Sequence, residues 1–573
     1  MKIILLILLS SFFLISCNKK DSQNSSTKVK KAVTLKTNKI DATSILLSLP
    51  VETEAIVNIK SVKSVFDNFL IKEDSIFGIP FPKRDLEEFQ KIWDINPFNL
   101  NSLKDIGLEL NKEFGISFSD IIWAKGDDLS SMSVILYVPV KDSKKLLSFI
   151  ESKFENGQVK GYSDLNLKKE KDYYKFFGKK ETEVIYFFVK NNYFFAIMNP
   201  MNPKKSLSLT KSFIKGGKTL KDSKLFKDSS KLTETNSGIY IYTNINKLIS
   251  SNEDRLKKEM NNIPNSEIFT DMMKTYKSLI FSLALDSNDF VLNFSAIFEK
   301  NAKFLKFIKG VTYDNSTILG LDKSSLLLLS FGINIPEYVK LIKSFMGGYG
   351  SSIDDKIAKT SKEFEVDIQK DIIDNFSGNF AFAAYDGMSI STTSYNAITT
   401  IGFKKPQVIN NIITKLIKNP KLKMLTKFIN PVKEDGKTIY IINAMVTQVY
   451  VGFNSKEMII ASSKDMYNSA LKSSKEKGFY KYSSKDKKLS KSLNSQMIFY
   501  VSFLEVIKAI NNFKGMLPQD KSKIAVDILE LLDYMLVDTN ITDSVISANY
   551  TVKTNSQKLF SHFVGDLIKK NLH

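Results

Sequence analysis

Leu49-Pro50-Val51-Glu52-Thr53-Glu54-Ala55-Ile56-Val57-Asn58-Ile59 is a turn leading into a strand, and Val62, Val65, Phe66 and Phe69 follow it at helical spacing. The same order of strand, short link and amphipathic helix returns at Leu321-Asp322-Lys323-Ser324-Ser325-Leu326-Leu327-Leu328-Leu329-Ser330-Phe331. There Tyr338, Leu341, Ile342 and Phe345 supply the helical face. Pro336 falls near the start of that second helix, where its missing N–H removes no helical hydrogen bond.

Further pairs fall in the same order on either side. Val134 to Val140 is a strand followed by a helix from Ser143 to Phe154, and Ala397 to Phe403 is a strand followed by a helix from Pro406 to Ile417. Upstream, Asp120-Ile121-Ile122 answers Asp371-Ile372-Ile373. Glu183 to Met198 forms two strands around Lys190-Asn191-Asn192, and Thr447 to Ser462 forms two around Asn454-Ser455-Lys456. Ile239-Tyr240-Ile241-Tyr242 with Leu248 and Ile249 matches Met497-Ile498-Phe499-Tyr500 with Val506 and Ile507. A hairpin from Leu279 to Phe298 precedes a helix with Phe304, Leu305 and Ile308, and Met535 to Val552 precedes one with Leu559, Phe560 and Phe563.

The period is far longer than that of a solenoid, so each copy is a domain in its own right. Short, hairpin-like links favour antiparallel sheets with helices laid on one face. The expected class is α+β, in two similar tandem lobes, each a mainly antiparallel sheet with helices packed on it. The first repeat covers residues 45–312 and the second 313–573. With 573 residues, 43% of them hydrophobic, the chain is long enough to bury two such cores.

Ahead of the repeats, Lys2 opens an apolar run from Ile3 to Ile15 that ends at Ser16-Cys17 and gives way at once to Asn18-Lys19-Lys20. A spanning helix needs about twenty apolar residues, so this run has the proportions of an export signal. Leu14-Ile15-Ser16-Cys17 resembles the motif of lipoprotein signal peptidase substrates. The resemblance implies that residues 1–17 are a signal peptide, with Cys17 becoming the first mature residue and carrying a thioether-linked diacylglycerol and an N-acyl group such as palmitate. Two or three acyl chains anchor a protein firmly, at about 0.8 kcal/mol per buried CH₂. Cys17 is the only cysteine, so no internal disulfide is expected. Residues 18–44 form a flexible basic tether in which Lys19, Lys20, Lys28, Lys30, Lys31, Lys36 and Lys39 stand among Ser, Thr, Asn and Gln.

The order of elements, the Leu-Pro turn into a strand and the segment Gly378-Asn379-Phe380-Ala381-Phe382-Ala383 resemble large uncharacterised bacterial envelope lipoproteins of unknown function. In the first copy Gly126-Asp127-Asp128-Leu129 replaces the Gly-Asn-Phe segment. The resemblance implies a fold and no activity.

The formal charge of +21 is spread along the whole chain, without the clustered arginine and aromatic motifs that read or stack on bases, so no nucleic-acid partner is expected. A weak attraction of the tether to anionic lipids or cell-wall polymers is expected instead. The two histidines, His562 and His573, are too few for a multi-histidine metal site and do not suggest a Ser-His-Asp triad.

Ser-x-x-Lys occurs at Ser208–Lys211, Ser212–Lys215 and Ser469–Lys472, without the accompanying elements of serine-lysine acyl transferases. Gly347-Gly348-Tyr349-Gly350-Ser351-Ser352 follows a helix and lacks the lysine of a phosphate loop. Asp286-Ser287-Asn288-Asp289 and Asp538-Thr539-Asn540-Ile541-Thr542-Asp543 have the composition of hairpin turns and lack a full calcium ligand series. Glu87-Glu88 and Asp354-Asp355 are adjacent, so on a helix they point apart.

The expected function is therefore a non-catalytic, membrane-anchored envelope lipoprotein presenting a duplicated body to a protein, polymer or apolar ligand, without catalytic residues, metal or cofactor. The ligand-binding residues and the protein partner are left open. Aromatic candidates for the binding surface are Tyr173, Tyr174, Phe176, Phe177, Tyr480 and Tyr482. The alternative is an envelope hydrolase using carboxylate or Ser-Lys chemistry. Asn18, in place of an inner-membrane retention aspartate, favours the outer membrane, on its periplasmic or surface face.

Overall fold

The computed structural model describes residues 44–555 apart from 69–74, 77–78, 81–86, 88–89, 91–92, 97–98, 124–128, 156, 160–161, 179–183, 233–237, 261–269, 271–272, 285–288, 301, 308–315, 322–324, 346–349, 386–395, 445–446, 513–525 and 527. The described residues have an α+β fold and divide into two compact units. One holds the described residues up to 260 with Tyr276–Ile297; Phe298–Asn555 belongs to the other.

In the first unit the strands are β1 (Ala55–Ile59), β2 (Phe114–Trp123), β3 (Leu129–Pro139), β4 (Tyr162–Lys169), β5 (Tyr174–Gly178), β6 (Val184–Lys190), β7 (Tyr193–Met198), β8 (Ile239–Thr243) and β9 (Tyr276–Ala284). They pair antiparallel in the order β9-β8-β1-β2-β3-β7-β6-β5-β4. Period-two alternation sets the pairing of β1 with β8. Ile56 and Asn58 point to the buried face and stand opposite Tyr242 and Tyr240, which are buried as well. Asn58 is tolerated there because its Oδ1 accepts a hydrogen bond from the Tyr137 hydroxyl at 2.8 Å. The β6–β7 turn places Asn191 and Asn192 at φ of 52° and 59°, the left-handed pair that a two-residue hairpin turn requires.

The helices of this unit are bounded by local chemistry. Asp142 caps Ser143–Ser152 by accepting from the Lys145 amide at 3.0 Å. Asn202 caps Pro203–Lys215, Gly216 ends it at φ 83°, and Lys190 Nζ donates to the Phe213 and Ile214 carbonyls at 2.8 and 3.2 Å. Leu146 and Ile150 of the first helix bury against Phe114, Leu136, Val138, Ile185 and Phe187 in the core of the unit.

The second unit is built from β10 (Ser325–Gly332), β11 (Phe376–Tyr385), β12 (Ala397–Phe403), β13 (Ile429–Glu434), β14 (Lys437–Ala444), β15 (Thr447–Phe453), β16 (Glu457–Ala461), β17 (Met497–Ser502), β18 (Leu532–Ile541) and β19 (Val545–Thr554). Their antiparallel order is β19-β18-β17-β10-β11-β12-β16-β15-β14-β13. Among the described residues β13 pairs only with β14, and such an edge accommodates Pro431, which has no N–H to offer a neighbour. Leu328, Ala383, Ile398, Ile459, Ile498 and Leu536 carry the core across the sheet, and Met466, Tyr467 and Leu489 pack on it from helices.

Several expected elements fall where the sequence places them, among them β12 and the two hairpins β6–β7 and β15–β16. The helix after β3 ends at Ser152, and Phe154 belongs to a short strand, Phe154–Glu155. The pairing of Asp120-Ile121-Ile122 with Asp371-Ile372-Ile373 does not hold. Asp120 sits inside β2 at a register shift, whereas Asp371 lies in a π-helical turn, Ile368–Ile373, ahead of β11. Asp-Ile-Ile is a composition common to both places, and the backbone differs. Gly126-Asp127-Asp128 and the helix expected around Leu559 lie outside the described residues.

Candidate functional site

In the second unit, antiparallel pairing brings the end of β17 against the start of β10 and of β18, with Val501 opposite Leu327 and Ser502 opposite Tyr534. A cleft of about 350 Å³ opens at that end of the sheet. Ser325 comes from β10, Tyr500 and Ser502 from β17, Asp533 from β18, and Leu504 and Glu505 from the helix Phe503–Asn512. The helix Gly478–Ser483 completes the wall with Phe479, Lys481 and Tyr482, and Lys485 follows it. Gly478 starts that helix at φ 57°, and a Cβ there would lie 1.9 Å from the Leu321 carbonyl oxygen, so only glycine lets the chain enter the wall at this point.

The rings interlock. Phe479 meets Tyr500 edge to face at 4.9 Å, Tyr482 meets Tyr500 at 6.3 Å, and Tyr500 tilts against Tyr534 at 5.7 Å. The Tyr482 hydroxyl donates to Asp533 Oδ1 at 3.3 Å. Burial, and then the Asp533 carboxylate, push Tyr482 above its usual value, and burial does the same to Tyr500, so both phenols keep their protons. Beside them Tyr534 donates to Asp486 Oδ2 at 3.0 Å. Burial acts to raise Asp486, but the Lys488 and Leu489 amides, the Tyr534 hydroxyl and the Lys553 charge outweigh it and leave Asp486 below its usual value.

Glu505 is 3% exposed. Its Oε1 receives Lys508 Nζ at 2.8 Å, whereas its buried Oε2 has no hydrogen-bond partner. A buried carboxyl oxygen left without a donor is costly, and this one belongs to a residue that lines the cleft.

The buried glutamate of the first unit is in a different state. Glu54 is 1% exposed; its Oε2 accepts from the Ile121 amide at 2.9 Å and its Oε1 from Ser251 Oγ at 3.3 Å. Burial still holds Glu54 above its usual value, against the Ile121 hydrogen bond and the nearby Lys247. This unit also has a cavity of about 280 Å³ lined by Lys190, Lys218, Lys221 and Ser44. Lys190 is already engaged there with helix carbonyls.

The sequence candidates are dispersed. Ser208, Lys211, Ser212 and Lys215 are all exposed on one helix, and Ser469 is half-buried with Lys472 exposed. Asp354 and Asp355 are exposed on Gly350–Phe364. Asp538 lies within β18, where Ser495 Oγ and Asn549 Nδ2 donate to it at 3.3 and 2.9 Å. Of the aromatic candidates, Tyr174 is buried and stacked on Phe187 at 5.1 Å, Tyr173, Phe176, Phe177 and Tyr480 are half-buried, and Tyr482 lines the cleft. Cys17, His562 and His573 lie outside the described residues, as do Gly347, Asp286 and Glu88. Among the described residues no group of three or more His, Cys, Asp or Glu is placed to hold a metal ion, and no helix is long and apolar enough to cross a membrane.

Glu505, Asp533 and Tyr500 were not singled out from the sequence. A lone acid within the apolar run Phe503-Leu504-Glu505-Val506-Ile507 is the one local signal pointing to any of them.

No protein-family model matches the chain, and no curated protein matches it. Among solved structures, crystal form IV of TP0453 is similar over 45% of this chain and 97% of its own, at 12% identity and a TM-score of 0.22. Crystal form I of TP0453 is similar over 45% of this chain and 86% of its own, at 13% identity and a TM-score of 0.22.

Proposed function

We propose that this chain is a bacterial envelope lipoprotein, held at the membrane by lipid on Cys17, whose body works by binding. The observation that carries the anchor is Leu14-Ile15-Ser16-Cys17 at the end of a short apolar run, immediately followed by a basic polar stretch. The outer membrane is favoured by Asn18, and the basic tether adds a salt-sensitive attraction to anionic lipids or polymers.

The body is read as a duplication into two tandem lobes. Supporting this, the order β9-β8-β1-β2-β3-β7-β6-β5-β4 of the first unit corresponds strand for strand to β18-β17-β10-β11-β12-β16-β15-β14-β13 of the second. Helices also follow corresponding strands: Ser143–Ser152 and Pro406–Lys418 follow β3 and β12, and Pro203–Lys215 and Lys464–Leu471 follow β7 and β16. A binding role is supported by the cleft, whose aromatic walls, phenol donors, lysines and carboxylates can hold a ligand.

Growth with an alkyne-tagged palmitate tests the anchor. The chain takes up label and partitions into detergent, and Cys17→Ser does neither.

A further inference from the structure

We propose that the cleft of the second unit is the site for a small zwitterion of the α-amino-acid or dipeptide class, its ammonium group held by Glu505 and its acidic group by Lys481 and Lys485. The proposal deepens the binding reading and rests on it. Glu505 Oε2 is a buried carboxyl oxygen without a donor, and an ammonium N–H is the ligand group that completes it. A quaternary ammonium has no N–H to give. Asp533 adds a second carboxylate to the wall, and the Tyr482 and Tyr500 rings favour a cation further.

A simple amine does not fit the whole cleft, because Lys481 and Lys485 also line it and repel a second positive charge. A simple acid meets Glu505 and Asp533. A molecule with both signs matches both sets, and Phe479 and Leu504 offer apolar contact for a hydrocarbon side chain. A volume of about 350 Å³ lies at the small end of ligand pockets, the size for one or two residues.

Calorimetry on the full mature protein in detergent micelles tests this with three matched probes: L-leucine, 3-methylbutylamine, which lacks the carboxylate, and 4-methylpentanoate, which lacks the amine. Leucine binds, the amine binds about tenfold more weakly and the acid gives no heat. Glu505→Gln lowers leucine affinity by about tenfold or more. Leu504→Trp, at an exposed position of the mouth, blocks binding without altering the core and so guards against a folding defect in the first variant.

Three results overturn the assignment: no leucine heat up to about 10 mM, equal binding of the acid and leucine, or full leucine affinity in Glu505→Gln. Absent leucine binding with Cys17 acylated removes the cleft assignment and leaves the anchor standing. Leucine binding without acylation does the reverse.

Discussion

The Ile121 amide and the Glu54 carboxylate are joined by a 2.9 Å hydrogen bond at the point where β2 shifts register and Asp120 takes φ of 56°. The shift takes the Ile121 N–H out of the regular ladder, and Glu54 gives it an acceptor. Removing the side chain with Glu54→Ala leaves that amide without its acceptor in a half-buried place and destabilises the protein by about 1–3 kcal/mol. Urea unfolding measures the loss, and faster hydrogen exchange at Ile121 localises it.

Glu54 also sets a pH dependence. Burial raises it above the ordinary 4.5, so the native state binds this proton more tightly than the unfolded chain does. Its contribution is full below the unfolded value and is lost as pH rises through the native one. Glu54→Gln, neutral throughout, gains stability relative to the unsubstituted protein as pH is raised from about 4 to 7. Denaturation midpoints of the two proteins across that range give the sign directly.

Gly478→Ala places a Cβ against the Leu321 carbonyl in a left-handed backbone. The expected cost exceeds about 1 kcal/mol. Because Gly478 launches the helix bearing Phe479 and Tyr482, tyrosine fluorescence from the cleft changes with it.

Asp486 caps Lys487–Ser492 by accepting from the Lys488 and Leu489 amides at 2.8 and 3.3 Å. Asp486→Ala costs about 1 kcal/mol at neutral pH. Since the native Asp486 lies below its ordinary 3.8, its stabilisation is present above that value and disappears as pH falls through the native one. The difference between the two proteins therefore narrows in acid.

Elements with strong local signals were legible in the sequence. Ala397–Phe403 is bounded and alternating, and Asn191-Asn192 supplies its own turn chemistry. β4 and β13 were not read, because Tyr162–Lys169 and Ile429–Glu434 are polar and partly exposed and draw their order from the strands they pair with. The Asp-Ile-Ile pairing failed since three residues carry composition without backbone state. The cleft was illegible for a related reason. Tyr500 and Asp533 are brought together by the pairing of β17 with β18, the helices Gly478–Ser483 and Phe503–Asn512 add Tyr482 and Glu505, and these four residues do not stand in a spacing that a single helix or strand would impose.

Intact mass analysis of the N-terminal peptide from membrane-extracted protein reads the proposed lipid on Cys17 itself. The expected mature chain begins at Cys17 and carries the added mass of a diacylglycerol with an N-acyl group. A chain beginning at any other residue, or an unmodified Cys17 in the membrane fraction, contradicts it.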